Sequence, residues 1–452
     1  MRDGARRPVR LVAFALLLAG SSLLLPWALA FDPWSWLVWG REAGRLELDT
    51  AGGPSWKPLP VLAAAALTLA GGAAPALWLI LARAGGLLAV AGAAALAGRL
   101  AGGVAATTAA VAMALSDWWL FNTALGNSEG LLAAAVLWAV VAHLAGNHRV
   151  ALALLLGAAL LRPEAWPFLG GYALWLWRSG RESLGPLAFA LLPVPGLWFG
   201  PDVLGAGGAL GASSAARGTA SPQSAVYAEL PALEVVRDFA GLLTLPVLLA
   251  AAAGMALGGS IARRLGAAAL AWVALVAVMT QAGYAGNPRY NVAAAAIGCA
   301  LAGVGVAALA RRRVQAWVLA AALAAGVLAF TAGDLSEQLE ELGARADRRT
   351  QLDALVDAVG GAEAVAACAP ARTNQPMKAM LAWRLDLRME RLADAPLSPA
   401  AVFSAPPGYR GEPREPRVPG GSAPVATAGD WSLAAACTGG RELRPVAGRS
   451  GS

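Results

Sequence analysis

Long runs of Ala, Gly, Leu and Val, broken by short polar clusters, dominate the chain from residue 11 to about residue 332. Runs of about 20 apolar residues can cross roughly 30 Å of hydrocarbon, and backbone groups in lipid must be satisfied internally, so such runs are helices. The pattern predicts eleven spans, over 11–30, 76–97, 103–116, 129–146, 150–162, 165–178, 184–200, 240–259, 265–283, 291–310 and 314–332. From residue 334 charge, Pro and Gly become more frequent. The leucine spacing there predicts a helix over 334–359, and short apolar pieces at 364–369, 400–404 and 431–437 read as strands. The expected fold class is an all-α polytopic membrane protein of about eleven transmembrane helices over 1–333. It carries a small extracytoplasmic α/β C-terminal domain over 334–438 and a disordered tail over 439–452.

The charge distribution fixes the expected orientation. Arg2, Arg6, Arg7 and Arg10 precede the first span, which makes it an N-in anchor; Ala28-Leu29-Ala30 also fits a signal-peptide cleavage site. With eleven spans, Arg99, Arg149, Arg178 with Arg181, Arg263 with Arg264, and Arg311 to Arg313 all fall on the cytoplasmic side. Making 59–82 a span of its own, or fusing 150–178 into one kinked helix, would move most later arginines outside. The outer face then holds 31–74, 117–128, the turn at Arg162-Pro163-Glu164, a loop over 201–239, the segment 284–290 and everything after 333. Arg83, a few residues into the second span, is expected to snorkel outward.

Composition narrows the function classes. At 58% hydrophobic and 14% charged, the 452 residues carry too much apolar surface for a soluble fold. The net charge of +7 sits in short clusters between spans, which reports topology and gives no continuous basic face for nucleic acid. There are two histidines, His143 and His148, and three cysteines, with no CxxC or Cys/His metal spacing, so cysteine or histidine catalysis is not expected. Cys368 and Cys437 either pair on an oxidising outer side or remain free thiols.

Polar groups at the expected outer surface are the candidates for chemistry. Asp32 precedes Pro33 and three tryptophans, Trp34, Trp36 and Trp39. It can cap a helix beginning at Pro33, with the tryptophans forming an interfacial aromatic belt, or serve as a general base held at a water–lipid boundary. Lys57, in Trp56-Lys57-Pro58-Leu59-Pro60, is one of only two lysines beside 33 arginines. It can snorkel to headgroups or present a compact charge to a phosphate. Glu129 opens a span after Asn127 and Ser128, either as a dipole-complementing first-turn acid or as a second functional carboxylate. Arg162 and Glu164 flank a Pro and can pair with each other, although charges at membrane depth favour a functional reading. Arg289, in Asn287-Pro288-Arg289-Tyr290, can grip a phosphate with its fork or anchor to lipid.

Assembled in this order, the residues resemble the C-fold class of polyprenyl-phosphate-sugar-dependent glycosyltransferases, in particular its protein O-mannosyltransferase and aminoarabinose transferase branch. That pattern places an acid after the first span, then a helix, then a Lys-Pro-Pro-Leu motif; here Asp32 and Lys57-Pro58-Leu59-Pro60 match it. Glu129 matches an acid near the start of the fourth span, Arg162-Pro163 a basic-Pro pair after the fifth, and Arg289-Tyr290 an Arg-Tyr ahead of a late span. The likeness covers about residues 8–332. The second Pro of the lysine motif is displaced to Pro60, and the usual Asp-Glu doublet is Asp32-Pro33, which leaves sugar and acceptor open.

The resemblance implies a bacterial enzyme, actinobacterial by its outer C-terminal domain, that moves a sugar from a polyprenyl-phosphate donor to an acceptor hydroxyl with inversion. Asp32 and Glu129 are the implied catalytic residues. Lys57, Arg162, Glu164, Arg289 and Tyr290 are the implied substrate-binding ones. The implied partners are the donor lipid, a glycan, lipid or protein acceptor, and membrane lipid, without nucleic acid. No cofactor is called for, and a divalent cation is compatible though no ligand set points to one. The implied location is a plasma membrane, with active site and C-terminal domain outside. Two other classes remain open: a transporter or lipid flippase with an outer sensing domain, and a non-catalytic assembly protein that works through its tail.

Overall fold

The computed structural model describes residues 2–50, 52–205, 208, 211, 224–392, 399–405, 416, 418–438 and 442–445, with side chains from residue 8 onward. Most of the predicted tail, and much of the loop after residue 205, lie outside the described residues. The membrane part runs through α1 (Arg2–Ser21), α2 (Phe31–Gly44), α3 (Pro58–Leu67), α4 (Ala74–Ala101), α5 (Gly103–Ala114), α6 (Asp117–Ala124), α7 (Glu129–Leu144) and α8 (His148–Leu161). It continues through α9 (Trp166–Arg178), α10 (Leu184–Leu191), α11 (Pro193–Gly205), α12 (Pro231–Leu257), α13 (Gly259–Gln281), α14 (Val292–Leu309) and α15 (Arg313–Ala358).

The chain is a multi-pass membrane protein. By length and apolarity six described stretches can cross a bilayer, or seven if the bent pair α5 and α6 counts as one span. The segments predicted at 129–146, 150–162 and 165–178 are helical but run only 16, 14 and 13 residues. The first helix ends earlier than predicted: α1 stops at Ser21 and a 3₁₀ turn ends at Leu24. Pro26, which has no N–H to donate, follows, and 25–30 is non-helical until the Ala30 N–H bonds the Leu125 carbonyl at 3.0 Å. The 201–239 loop is shorter than predicted, because α12 already begins at Pro231, where proline suits a first helical turn.

α14 is the central helix, with nearly every residue buried. Its small side chains allow backbones to touch: a β-carbon on Gly254 of α12 would collide with the Leu301 carbonyl, and one on Gly303 of α14 with the Ala105 carbonyl of α5. Arg83 does not snorkel. It is buried and bonds Ala124 O, Ser22 Oγ and Ser22 O, which ties α4 to the ends of α6 and α1.

α15 carries the chain out of the bundle in one unbroken helix of 46 residues, joining the predicted 314–332 span to the predicted 334–359 helix. Beyond it come α16 (Gly361–Cys368), β1 (Ala371–Arg372), α17 (Lys378–Arg384), β2 (Ala400–Ser404), β3 (Ala423–Ala428) and β4 (Trp431–Ala436). The sheet order is β1-β2-β4-β3, with β1 parallel to β2 and the other pairs antiparallel. The piece at 364–369, predicted as a strand, is helical, as its alanines favour. Cys368 and Cys437 form a disulfide and so tie α16 to the end of β4.

α2 is covered on both sides. Trp36 and Trp39 are fully buried and Trp34 nearly so, which replaces the predicted aromatic belt with a packed helix between bundle and C-terminal module. The module supplies that cover: Trp383 lies 6.4 Å from Trp34, and Arg41 donates to the carbonyls of Trp383, Ala382 and Leu387 at 3.2, 3.3 and 2.7 Å.

Candidate active site

Five backbone junctions bring the charged residues to one place. Asp32 sits in the first turn of α2, whose N-cap position is Ala30, so the carboxylate does not cap the helix. Lys57 is the extended residue before Pro58, φ −139° and ψ 114°, as a residue preceding proline prefers. Its neighbour Trp56 fixes that bend by donating to Leu197 O at 2.9 Å. Gly126, left-handed at φ 75°, turns the chain into Asn127, Ser128 and Glu129 at the start of α7. Arg162 and Glu164 occupy the break between α8 and α9, and Arg289 and Tyr290 the 3₁₀ turn before α14.

All seven predicted residues are drawn into this region of the fold. Asp32 Oδ2 accepts from Arg289 Nη1 at 2.9 Å and lies 3.6 Å from Lys57 Nζ. Lys57 is only 2% exposed and stands over the Trp36 ring, 4.8 Å from its centroid, so it does not snorkel. Arg162 is ion-paired with Glu129, not with Glu164, and lies over the Tyr290 ring at 4.5 Å. Tyr290 is held from behind by the Trp272 indole, which donates to its carbonyl at 2.7 Å.

Several of these groups have unused bonding capacity. Lys57 Nζ, Glu129 Oε2, Arg162 Nε, Arg289 Nε and both carboxylate oxygens of Glu164 are buried without a hydrogen-bond partner. Such groups cost free energy unless a ligand completes them. Burial pushes the Asp32 carboxyl upward, and the charges of Arg289, Lys57 and Arg162 more than reverse this, holding it below the usual carboxylate range. Burial, aided by the positive charge of Arg162, brings the Lys57 ammonium down to about 8 against the pull of Glu129 and Asp32. Burial holds the Glu164 carboxyl above its ordinary range, only partly opposed by Arg162.

With this geometry in view, comparison with known proteins gives one kind of match. No family model matches the chain, and no curated protein sequence does. The crystal structure of ArnT from Cupriavidus metallidurans bound to undecaprenyl phosphate superimposes with a TM-score of 0.60 at 15% identity, covering 94% of this chain and 97% of that one. The apo structure of the same protein gives 0.61 at 15% identity, with 96% and 98% covered. The chain therefore has the fold of ArnT, C-terminal module included.

An apolar cavity of about 640 Å³ opens between α7, α8, α9, α13 and α14. Two of its lining residues adjoin the charged cluster, Ala165 next to Glu164 in the chain and Trp272 bonded to the Tyr290 carbonyl. Leu155, Phe168, Ile297, His143 and Arg264 also line it. Beside the cluster sits a group that sequence reasoning missed. Asn291, 1% exposed, has neither amide atom bonded among the described residues. Asn291 directly follows Arg289-Tyr290, and that adjacency was the available signal. Trp36, expected in an interfacial belt, is instead the platform under Lys57. Among the described residues no group of three or more His, Cys, Asp or Glu is placed to hold a metal ion.

Proposed function

We propose that the protein is an inverting glycosyltransferase of the outer face of a plasma membrane. It moves a sugar from a polyprenyl-phosphate donor to a hydroxyl of a cell-envelope glycan, lipid or protein. The observation that carries this reading is the buried carboxylate of Asp32 sharing two cations, Arg289 at 2.9 Å and Lys57 at 3.6 Å, while Lys57 Nζ has no hydrogen-bond partner. An ammonium and a guanidinium converging beside a carboxylate suit a phosphate on one side and a proton acceptor on the other. The apolar cavity beside the cluster suits an isoprenoid chain, and the similar fold of ArnT has been solved with undecaprenyl phosphate bound. Polar groups gathered at one end of the bundle argue against a transport path, which would place them near mid-membrane.

In this reading Lys57 and Arg289 hold the donor phosphate. The acceptor oxygen attacks the anomeric carbon as its proton passes to Asp32. The bond from that carbon to the phosphate oxygen breaks, and polyprenyl phosphate leaves with its new charge stabilised by the two cations. Free Asp32, held low by those cations, is a weak base. A bound phosphate competes for both of them, so Asp32 becomes more basic when the donor is in place. Glu129 keeps Arg162 oriented, and Glu164 and Asn291 receive sugar hydroxyls.

The finer topology belongs to the same reading. Eleven crossings place Asp32, Glu129, Glu164, Arg289 and the C-terminal module outside, with the short helices α7, α8 and α9 crossing where the bilayer thins. The test is transfer in proteoliposomes from synthetic polyprenyl-phosphate sugars. A covalent glycosylated product with release of polyprenyl phosphate is expected. Movement of the donor across the bilayer without any covalent product would overturn the reading.

A further inference from the structure

A second cavity, of about 850 Å³, lies between α2, the segment linking α3 to α4, and the C-terminal module. It is separate from the cluster around Asp32. Trp34 and Arg41 of α2, and Arg45 just past its end, line it, and at about 100° per residue Asp32 lies about 160° around the helix from Trp34. The two sites therefore use opposite faces of one helix.

The polar lining is nearly balanced, with one charge left over. Arg41 and Arg45 share Asp386 at 2.9 and 3.0 Å, and Arg384 pairs with Asp353 at 2.8 Å and Asp357 at 2.5 Å. The fourth arginine of the lining, Arg349, makes no ion pair among the described residues. It lies 3.8 Å above the Trp27 ring, and its Nε is buried without a partner. A guanidinium over an indole with its Nε unused is ready for an anionic oxygen acceptor.

The surroundings favour a lipid source for that anion. Leu69, in the lining, is 90% exposed, and Leu46, next to Arg45, is 95% exposed. Leu24 and Leu25, just before Trp27, are exposed too. Large apolar side chains bared around a charged cavity suit the headgroup level of a bilayer, where they enter the acyl region while arginines meet phosphates.

We propose that this cavity binds the phosphate-bearing headgroup of an anionic membrane lipid, with Arg349 on Trp27 as its phosphate contact. The site involves no reacting atom and stands independently of the transferase reading. The purified full chain in detergent micelles is titrated with phosphatidylglycerol, phosphatidylcholine or soluble glycerol 3-phosphate, with binding read by native mass spectrometry. Phosphatidylglycerol is expected to bind roughly tenfold tighter than either of the others, and Arg349→Gln to lose roughly tenfold of that affinity. Asp353→Asn, which removes an acid whose charge reaches Arg349, is expected to tighten it. Unchanged phosphatidylglycerol binding by Arg349→Gln overturns the site. Glycerol 3-phosphate binding as tightly as the lipid overturns the lipid source. Should Arg349→Gln fail to fold, unchanged or weaker binding by Asp353→Asn overturns the site by itself.

Discussion

On one face of α2, both terminal nitrogens of Arg41 are engaged, by three backbone carbonyls at and just past the end of α17 and by Asp386. On the opposite face, Asp32 is held between Arg289 and Lys57, and the lysine beside it has donors with no acceptor. The first arrangement is complete as it stands and fastens the C-terminal module to the bundle. The second is complete only when something else arrives. Completeness separates the two more clearly than burial does, since Lys57 and Glu129 are better buried than Arg41.

Substitutions should divide along the same line. The largest effect is expected for Asp32→Asn, which removes the base and should lower turnover by about 10²–10⁴-fold, measured as product formed per enzyme. Arg289→Gln and Lys57→Met come next, expected to lower kcat/KM by about 10–100-fold, more through donor binding than through protein yield. Arg41→Met tests the other face. It should cost about 1.5–3 kcal/mol in docking of the module, seen as earlier thermal unfolding and faster proteolysis around 375–392, with turnover of the remaining folded protein kept. Loss of chemistry in a well-folded Arg41→Met protein would break the contrast.

A smaller effect concerns pH. Lys57 must be charged to hold a phosphate, and its folded value is about 8, below that of a free lysine. Its contribution is therefore present below that value and lost as pH rises through it, so kcat/KM should fall above about pH 8. Lys57→Arg should shift this alkaline limb upward, since a guanidinium stays charged there. An alkaline limb that does not move would assign it to another group.

Much of this was legible in the chain, for identifiable reasons. Span order follows from apolar runs, and the seven polar residues stood out because charges beside such runs are rare. What sequence could not supply depends on distant contacts. The tryptophans of α2 read as a belt because their cover, the module around Trp383, lies some 350 residues away in the chain. Arg83 read as a snorkelling residue because its partners, Ser22 and Ala124, come from two other elements. Arg162 pairs with Glu129 across two helices, where adjacency suggested Glu164. The residues 364–369 were short and apolar, a pattern that does not separate strand from helix until the sheet order is known.

The central claim is that Asp32 and the donor phosphate compete for the same two cations while Asp32 serves as the base. Polyprenyl phosphate affinity and turnover, measured side by side on wild-type protein and Asp32→Asn, test it most directly. The account predicts that Asn at this position abolishes most turnover yet binds polyprenyl phosphate at least as tightly as wild type, because Lys57 and Arg289 are released to the phosphate. Near-normal turnover by Asp32→Asn, or a loss of phosphate binding that parallels the loss of turnover, would contradict it.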